Sequence, residues 1–229
     1  MNRDEVYREQ LLDSIDEEAL GWIREKSIEY IRLMSYYRCA MMEIETKFKV
    51  LREEYSLVHD RNPINSIGTR LKSPKSIREK MERLGYEVSI ENIEKKLNDV
   101  AGVRIICAFQ DDVYALADAL LKQDDVVLIE TKDYIKKPKD NGYRSLHMIV
   151  SIPIYLAHEK REMKVEVQIR TIAMDSWASL EHQLVYKKDV ELTPEMQAEL
   201  DECANLSETL DEKINNLRRS LFEKNCIIK

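Results

Sequence analysis

The stretch Lys164-Val165-Glu166-Val167-Gln168-Ile169-Arg170 alternates strictly between apolar and polar side chains. A period of two belongs to a β-strand, so Val165, Val167 and Ile169 share one face while Glu166, Gln168 and Arg170 share the other. The first face is core. The second sets an acid, an amide and a base in a row, which suits either open water, as on the wet side of an antiparallel sheet, or a polar cleft that holds a charged ligand.

The rest of the chain limits the choice. Its 229 residues can bury a real core, as one domain with appendages or as two small ones. Five glycines and five prolines argue against an all-β fold. A net charge of -7 argues against general coating of nucleic acid, so any basic site must be local. Cys39, Cys107, Cys203 and Cys226 lie far apart with no CxxC pair, which gives neither a zinc signature nor a disulfide framework. Met-Asn-Arg-Asp-Glu does not resemble a signal peptide, and no apolar run is long enough to span a bilayer, so a cytoplasmic location without membrane partners is expected.

Tyr30, Met34, Tyr37, Met41, Ile44, Phe48, Leu51 and Tyr55 follow one another by fours and threes, a heptad seam within a helix that fills most of the first sixty residues. The seam suits packing on other helices of the chain or a dimeric coiled coil. It ends at the turn cluster His59-Asp60-Arg61-Asn62-Pro63. Ser73 then reads as an N-cap, Pro74 as the first helical residue and Gly85 as C′, which marks a helix of about three turns. Ile77, Met81 and Leu84 form its apolar stripe, and Ser76, Lys80 and Arg83 a second stripe about 100° away. Arg70 and Lys72 stand just ahead of its positive end. Cations on both loop and helix favour phosphate.

A short helix over 89–97 leads to a strand over 103–109 in which Arg104 is the one charged residue, with Asp99 just before it. A helix over 111–123 and a strand over 126–133 follow. The loop 134–144 carries Asn141-Gly142, a tight-turn signal, and presents Tyr143 among Lys136, Lys137, Lys139 and Arg144. A ring among cations can stack on a base while the cations hold its phosphates, or sit at a solvated hairpin tip. A strand over 145–152 puts Ser145 and His147 on its polar side. After the opening strand, a helix runs from Ala173 to about Lys188, and Met196, Leu200, Cys203, Leu210, Ile214, Leu217 and Leu221 repeat the heptad rhythm with Ser207 in the polar slot.

Four motifs occur in order: Arg-x-Lys-x-x-x-Ser-Ile from Arg70, Asp-Val-Ala-Gly-Val-Arg-Ile from Asp99, Asn-Gly-Tyr-Arg-Ser-Leu-His from Asn141 and Val-Glu-Val-Gln-Ile-Arg-Thr from Val165. Over about residues 65–190 they resemble the synthetase domain of the RelA/SpoT family, which makes the alarmone (p)ppGpp. Trp177-Ala178-Ser179-Leu180-Glu181-His182, with Tyr186-Lys187 after it, is similar to the small alarmone synthetases. The resemblance implies an α/β (α+β) fold: a nucleotidyltransferase-like mixed sheet packed by helices over 63–190, flanked by helical extensions over 1–62 and 191–229. It further implies ATP and GDP or GTP as substrates, Mg²⁺ as cofactor, and a homo-oligomer, a tetramer in this group. The implied reaction is attack of the guanosine 3′-hydroxyl on the β-phosphorus of ATP with release of AMP.

By the same resemblance Asp99 and Glu166 bind the metal, and Glu166 is the base for the 3′-hydroxyl. Arg70 and Arg104 clamp adenine, while Lys72, Ser76, Lys80 and Arg83 face the ATP phosphates. Tyr143 stacks on guanine, surrounded by Lys139, Asn141, His147 and Gln168; Glu181 and His182 read as structural. Thr69 replaces a glycine usual before the Arg-x-Lys. No histidine-aspartate hydrolase motif is visible, so synthesis without degradation is expected, with an alarmone or RNA as the effector to look for. Two rivals stand beside this reading. A polymerase-β-type nucleotidyltransferase needs a Gly-Ser followed by paired acids on one strand, which is not seen. A non-catalytic nucleotide- or RNA-binding regulatory assembly would use the basic groove without Asp99 and Glu166.

Overall fold

The computed structural model describes residues 17–58, 61–186 and 193–227, with side chains over 28–57, 61–184 and 193–221. The alternating stretch lies in the longest strand, β5 (Lys160–Thr171). Val165, Val167 and Ile169 are completely buried, while Glu166 and Gln168 are half-buried on the other face. In chain order the other elements are α1 (Glu17–Val58), β1 (Ile64–Leu71), α2 (Pro74–Arg83), α3 (Ile90–Lys96), β2 (Ala101–Cys107), α4 (Gln110–Leu121), β3 (Val127–Asp133), β4 (Leu146–Tyr155), α5 (Ile172–Glu181) and α6 (Pro194–Ile227). The sheet is mixed, in the order β1-β2-β5-β4-β3, and only the β2–β5 pair is parallel. The α/β class expected from the sequence is the one observed.

The apolar face of the sheet rests on α1 and α4. Tyr30, Met34, Tyr37, Met41, Ile44, Phe48 and Leu51 are all buried, so the N-terminal seam is filled within the same chain, mostly by the sheet and in part by α2, α3 and α4. In that turn cluster, His59 and Asp60 fall outside the described residues, as does Lys187 after α5. The helix expected to run from Ala173 to about Lys188 is instead α5, followed by a π-helical turn over His182–Tyr186.

The C-terminal seam behaves in the opposite way. Leu210, Ile214, Leu217 and Leu221 are exposed, and α6 turns Ala204, Asp211 and Asn215 inward. Hydrogen bonds fix that polar face. Asp211 accepts from Thr171 Oγ1 at 2.7 Å, Asn215 donates to Asp111 at 3.2 Å, and Arg218 donates to Asp112 at 3.0 Å. Ser207 donates to the carbonyl of Ala173 at 3.2 Å, which joins α6 to α5.

Strand β1 was not expected. Ile64-Asn65-Ser66-Ile67-Gly68-Thr69-Arg70-Leu71 has no clean alternation, and only Ile64 is buried, because an edge strand is held by its ladder to β2 more than by a core face. Arg70 therefore stands on a strand and not in a loop before α2. The caps of α2 are as expected: Ser73 Oγ accepts from the Ser76 amide at 3.2 Å, and Gly85 takes φ +72°. Leu84 is exposed, so the buried stripe of α2 is Pro74, Ile77 and Met81.

Candidate active site

The polar face of the sheet builds a site by register. Arg70 pairs with Gly102 and Gly102 with Glu166, while Gly68 pairs with Arg104 and Arg104 with Gln168. Cross-strand partners share a face, so two glycines clear space beside two arginines, an acid and an amide. The result is a cavity of about 510 Å³ lined by Gly68, Thr69, Arg70, Lys72, Asp99, Gly102, Val103, Arg104, Glu166 and Gln168.

Asp99 enters this cavity from the turn before β2. Its Oδ2 accepts from Lys72 Nζ and Lys80 Nζ, both at 2.7 Å. Burial pushes its carboxyl up, but the two lysines outweigh burial and hold it below the usual carboxylate range. Its Oδ1 is buried and has no hydrogen-bond partner among the described residues. An ionised carboxylate with one lone-pair set unused, facing a second carboxylate across a cavity, fits a hard divalent cation that takes one or two carboxylates and fills its remaining positions with substrate oxygens. Among the described residues no group of three or more His, Cys, Asp or Glu forms an all-protein metal cage.

A second cavity of about 570 Å³ shares Arg70, Arg104 and Gln168 with the first. It adds Lys139, Asn141, Tyr143, His147 and Arg170, and α5 and the turn after it supply Ala178, Ser179, Glu181, His182 and Gln183. The loop that carries Tyr143 is tightly shaped. The Gly142 amide donates to the Lys139 carbonyl at 2.8 Å, and Asn141 Oδ1 accepts from the Tyr143 amide at 3.2 Å. Gly142 has φ +71° and lies against Ala204 of α6. Lys139 Nζ sits 4.8 Å from the ring centroid of Tyr134 and 4.9 Å from that of Tyr143, a cation–π arrangement. Arg144 is buried against Glu208 and Asp211, so it holds the loop to α6 and does not serve the cavity.

Between the cavities five side chains form a closed hydrogen-bonded ring. Arg170 Nη2 donates to the Tyr143 hydroxyl at 2.8 Å and to Gln168 Oε1 at 2.7 Å. Gln168 Nε2 donates to Glu166 Oε2 at 2.8 Å. The Tyr143 hydroxyl lies 2.8 Å from His147 Nε2, and His147 Nδ1 lies 3.2 Å from Glu166 Oε1. Arginine only donates and a carboxylate only accepts. The Tyr143 hydroxyl accepts from Arg170, and Glu166 Oε1 accepts from His147 Nδ1. Burial raises Tyr143, which keeps its phenol protonated. Burial also lifts the Glu166 carboxyl, but the donors from His147 and Gln168 outweigh it, and the group lies below its usual range. Glu166 is thus an ionised carboxylate with both oxygens oriented, lining the first cavity and bonded to His147 and Gln168 of the second.

Arg70, Lys72, Asp99, Arg104, Glu166 and Gln168 come together in the first cavity, and Lys139, Asn141, Tyr143 and His147 in the second. Lys80 joins through Asp99. Ser76 lies on the first turn of α2, bonded to Ser73, and Arg83 is exposed on its last turn; neither lines either of these two cavities. Glu181 and His182, read from the sequence as structural, stand on the second cavity's wall, and Glu181 accepts from Asn141 at 3.1 Å. Arg170 and Tyr134 were not singled out. Arg170 carried one signal, its place on the polar face of the alternating strand; Tyr134 carried none.

Residues 69–191 match the profile of the region found in RelA / SpoT proteins. The chain is similar to the GTP pyrophosphokinase YwaC of Bacillus subtilis, 41% identical over 185 residues that cover 81% of this chain and 88% of that protein. Its fold is similar to the small alarmone synthetase 1 of Bacillus subtilis bound to its product pppGpp, with a TM-score of 0.76 and 33% identity over 84% of this chain and 97% of that one. The same enzyme bound to AMPCPP gives a TM-score of 0.72 and 29% identity over 85% of this chain and 98% of that one. The family profile, the sequence identity and the shared fold agree: the chain belongs to the RelA/SpoT family.

Proposed function

We propose that this chain is a (p)ppGpp synthetase: it transfers the pyrophosphate of ATP to the 3′-hydroxyl of GDP or GTP and releases AMP. One observation carries the reading. Glu166 is ionised and doubly oriented where two nucleotide-sized cavities share a wall of Arg70, Arg104 and Gln168. Pyrophosphoryl transfer needs two nucleotides in line, neutralised phosphates and a base, with little covalent help from protein. The first cavity suits ATP, with Arg70 and Arg104 as planar partners for adenine and Lys72 and Lys80 on the phosphate side, where Ser76 and Arg83 follow along α2. The second suits the guanine nucleotide, with Tyr143 as the stacking ring and Lys139, Asn141, His147 and Gln168 around it. Glu166 takes the proton from the 3′-hydroxyl as that oxygen attacks the β-phosphorus, and AMP leaves with the bond electrons. Asp99 and Glu166 would hold Mg²⁺, which when bound neutralises charge on the ATP phosphates.

The body over 63–190 carries this chemistry, and the extensions on either side, whose described parts are α1 and α6, support it. The exposed apolar residues of α6 support a homo-oligomer, a tetramer by analogy with this group. No helix among the described residues is long and apolar enough to cross a membrane, which suits work in the cytoplasm. Purified protein with ATP, GDP and Mg²⁺ is expected to yield AMP and ppGpp in equal amounts, and Glu166→Gln to yield neither while still binding ATP. AMP without a guanosine product, or wild-type turnover in Glu166→Gln, would overturn the reading.

A further inference from the structure

We propose that Arg170 is the positioning residue of this active site, orienting the Glu166 carboxylate from a distance through two hydrogen-bonded arms. The inference rests on Glu166 being the base, and it concerns how that base is held.

The two ends of the ring are fixed by what each group can do. Arg170 only donates and the ionised Glu166 only accepts, so the ring begins on the guanidinium and closes on the carboxylate. One arm runs from Arg170 Nη2 to the Tyr143 hydroxyl, on to His147 Nε2, and from His147 Nδ1 to Glu166 Oε1. The other runs from Arg170 Nη2 through the Gln168 amide to Glu166 Oε2. Each arm ends on a different oxygen, so together they fix both the tilt and the rotation of the carboxylate. Arg170 also fixes which end of the Gln168 amide points at Glu166.

The guanidinium is itself anchored. Arg170 is 3% exposed, and its Nη1 lies 3.3 Å from Asp175 Oδ1 in the first turn of α5. Burying an arginine is costly unless its hydrogen bonds are used. Here Nη1 is used on Asp175, and Nη2 on Gln168, which touches the base, and on the hydroxyl of the ring proposed to stack on guanine. The same Asp175 oxygen lies 3.6 Å from Arg104 Nη1, so the anchor of the ring is also in contact with the ATP side. A lysine could supply the charge of Arg170 but not two nitrogens that reach Asp175 from one and both arms from the other.

The test is steady-state kinetics of Arg170→Lys, Tyr143→Phe and the double variant, each expressed per folded active site. Arg170→Lys is expected to lower kcat by roughly 10- to 100-fold, the usual effect of losing an outer partner of a catalytic group, with the ATP KM unchanged within about twofold. Tyr143→Phe keeps the ring and cuts one arm. It is expected to lower kcat by about tenfold with the guanine-nucleotide KM within about twofold. In the Arg170→Lys background the same change should cost less than about twofold, because the arm is already open at its source. A merely structural arginine would lower the yield of folded protein and leave no such coupling. Wild-type kcat in either single variant, or two effects that simply multiply, would overturn the proposal. Should Arg170→Lys not fold, Tyr143→Phe decides alone, since an unchanged kcat there breaks the longer arm. A wild-type protein that makes no guanosine product would instead refute the synthetase reading itself.

Discussion

Gly142→Ala tests how α6 shapes the second cavity. Gly142 has φ +71°, and a Cβ added to it would fall inside the van der Waals envelope of Ala204 Cβ on α6. Two separable costs follow. An L-residue held in the left-handed region costs about 1–2 kcal/mol, and forcing a methyl against packed α6 adds about 1–3 kcal/mol, so about 2–5 kcal/mol in all. For a chain of this size that lowers Tm by roughly 4–20 °C. Ala204→Gly should relieve the second cost only, while adding about 0.5–1 kcal/mol of its own as a helix-interior glycine. The double variant is therefore expected to be more stable than the sum of the singles by about 1–3 kcal/mol, read from urea midpoints at constant slope. Because Tyr143 follows Gly142 directly, the guanine-nucleotide KM should rise in Gly142→Ala and recover in the double variant, with the ATP KM unmoved. Additivity of the two stability changes within about 0.5 kcal/mol would refute the contact between loop and α6.

Acid should destabilise the protein through its active site. Asp99 and Glu166 both titrate below the usual carboxylate range when folded. The unfolded chain therefore binds more protons near pH 4, and their contribution is present above about pH 4 and lost as pH falls through the folded values. Asp99→Asn should flatten the fall of Tm below about pH 4; a curve parallel to wild type would contradict this. The exposed seam of α6 is expected to hold subunits together, so Leu210→Glu with Leu217→Glu should lower the mass measured by light scattering. An unchanged mass would remove α6 from the subunit interface.

Much of the site was legible because its residues sit in elements with strong periods. The alternation over 164–170 placed Glu166 and Gln168 on one face, and the caps around Ser73 and Gly85 placed α2. Other features were not legible for physical reasons. Strand β1 is an edge held by backbone pairing, so its side chains carry little pattern, and Arg70 was placed in a loop. The seam of α6 misled because its apolar side faces outward, while attachment runs through Asp211, Asn215 and Arg218, whose partners lie far away in sequence. Glu181 and His182 reach the second cavity only because α5 packs against β5 and β2, a tertiary fact with no local signal. The role of Arg170 needed a closed ring drawn from two strands and a loop, and a single strand displays only its own side of that ring.

The central claim is that the bond broken in ATP joins the α- and β-phosphates and that the guanosine 3′-oxygen takes the distal pair. Following ATP radiolabelled at the γ-phosphorus, and separately at the α-phosphorus, through one turnover with GDP and Mg²⁺ measures this directly. The γ-label is predicted to appear wholly in the guanosine product and the α-label wholly in AMP. An α-label on guanosine would mean nucleotidyl transfer, a γ-label in inorganic phosphate would mean hydrolysis, and either would contradict the account.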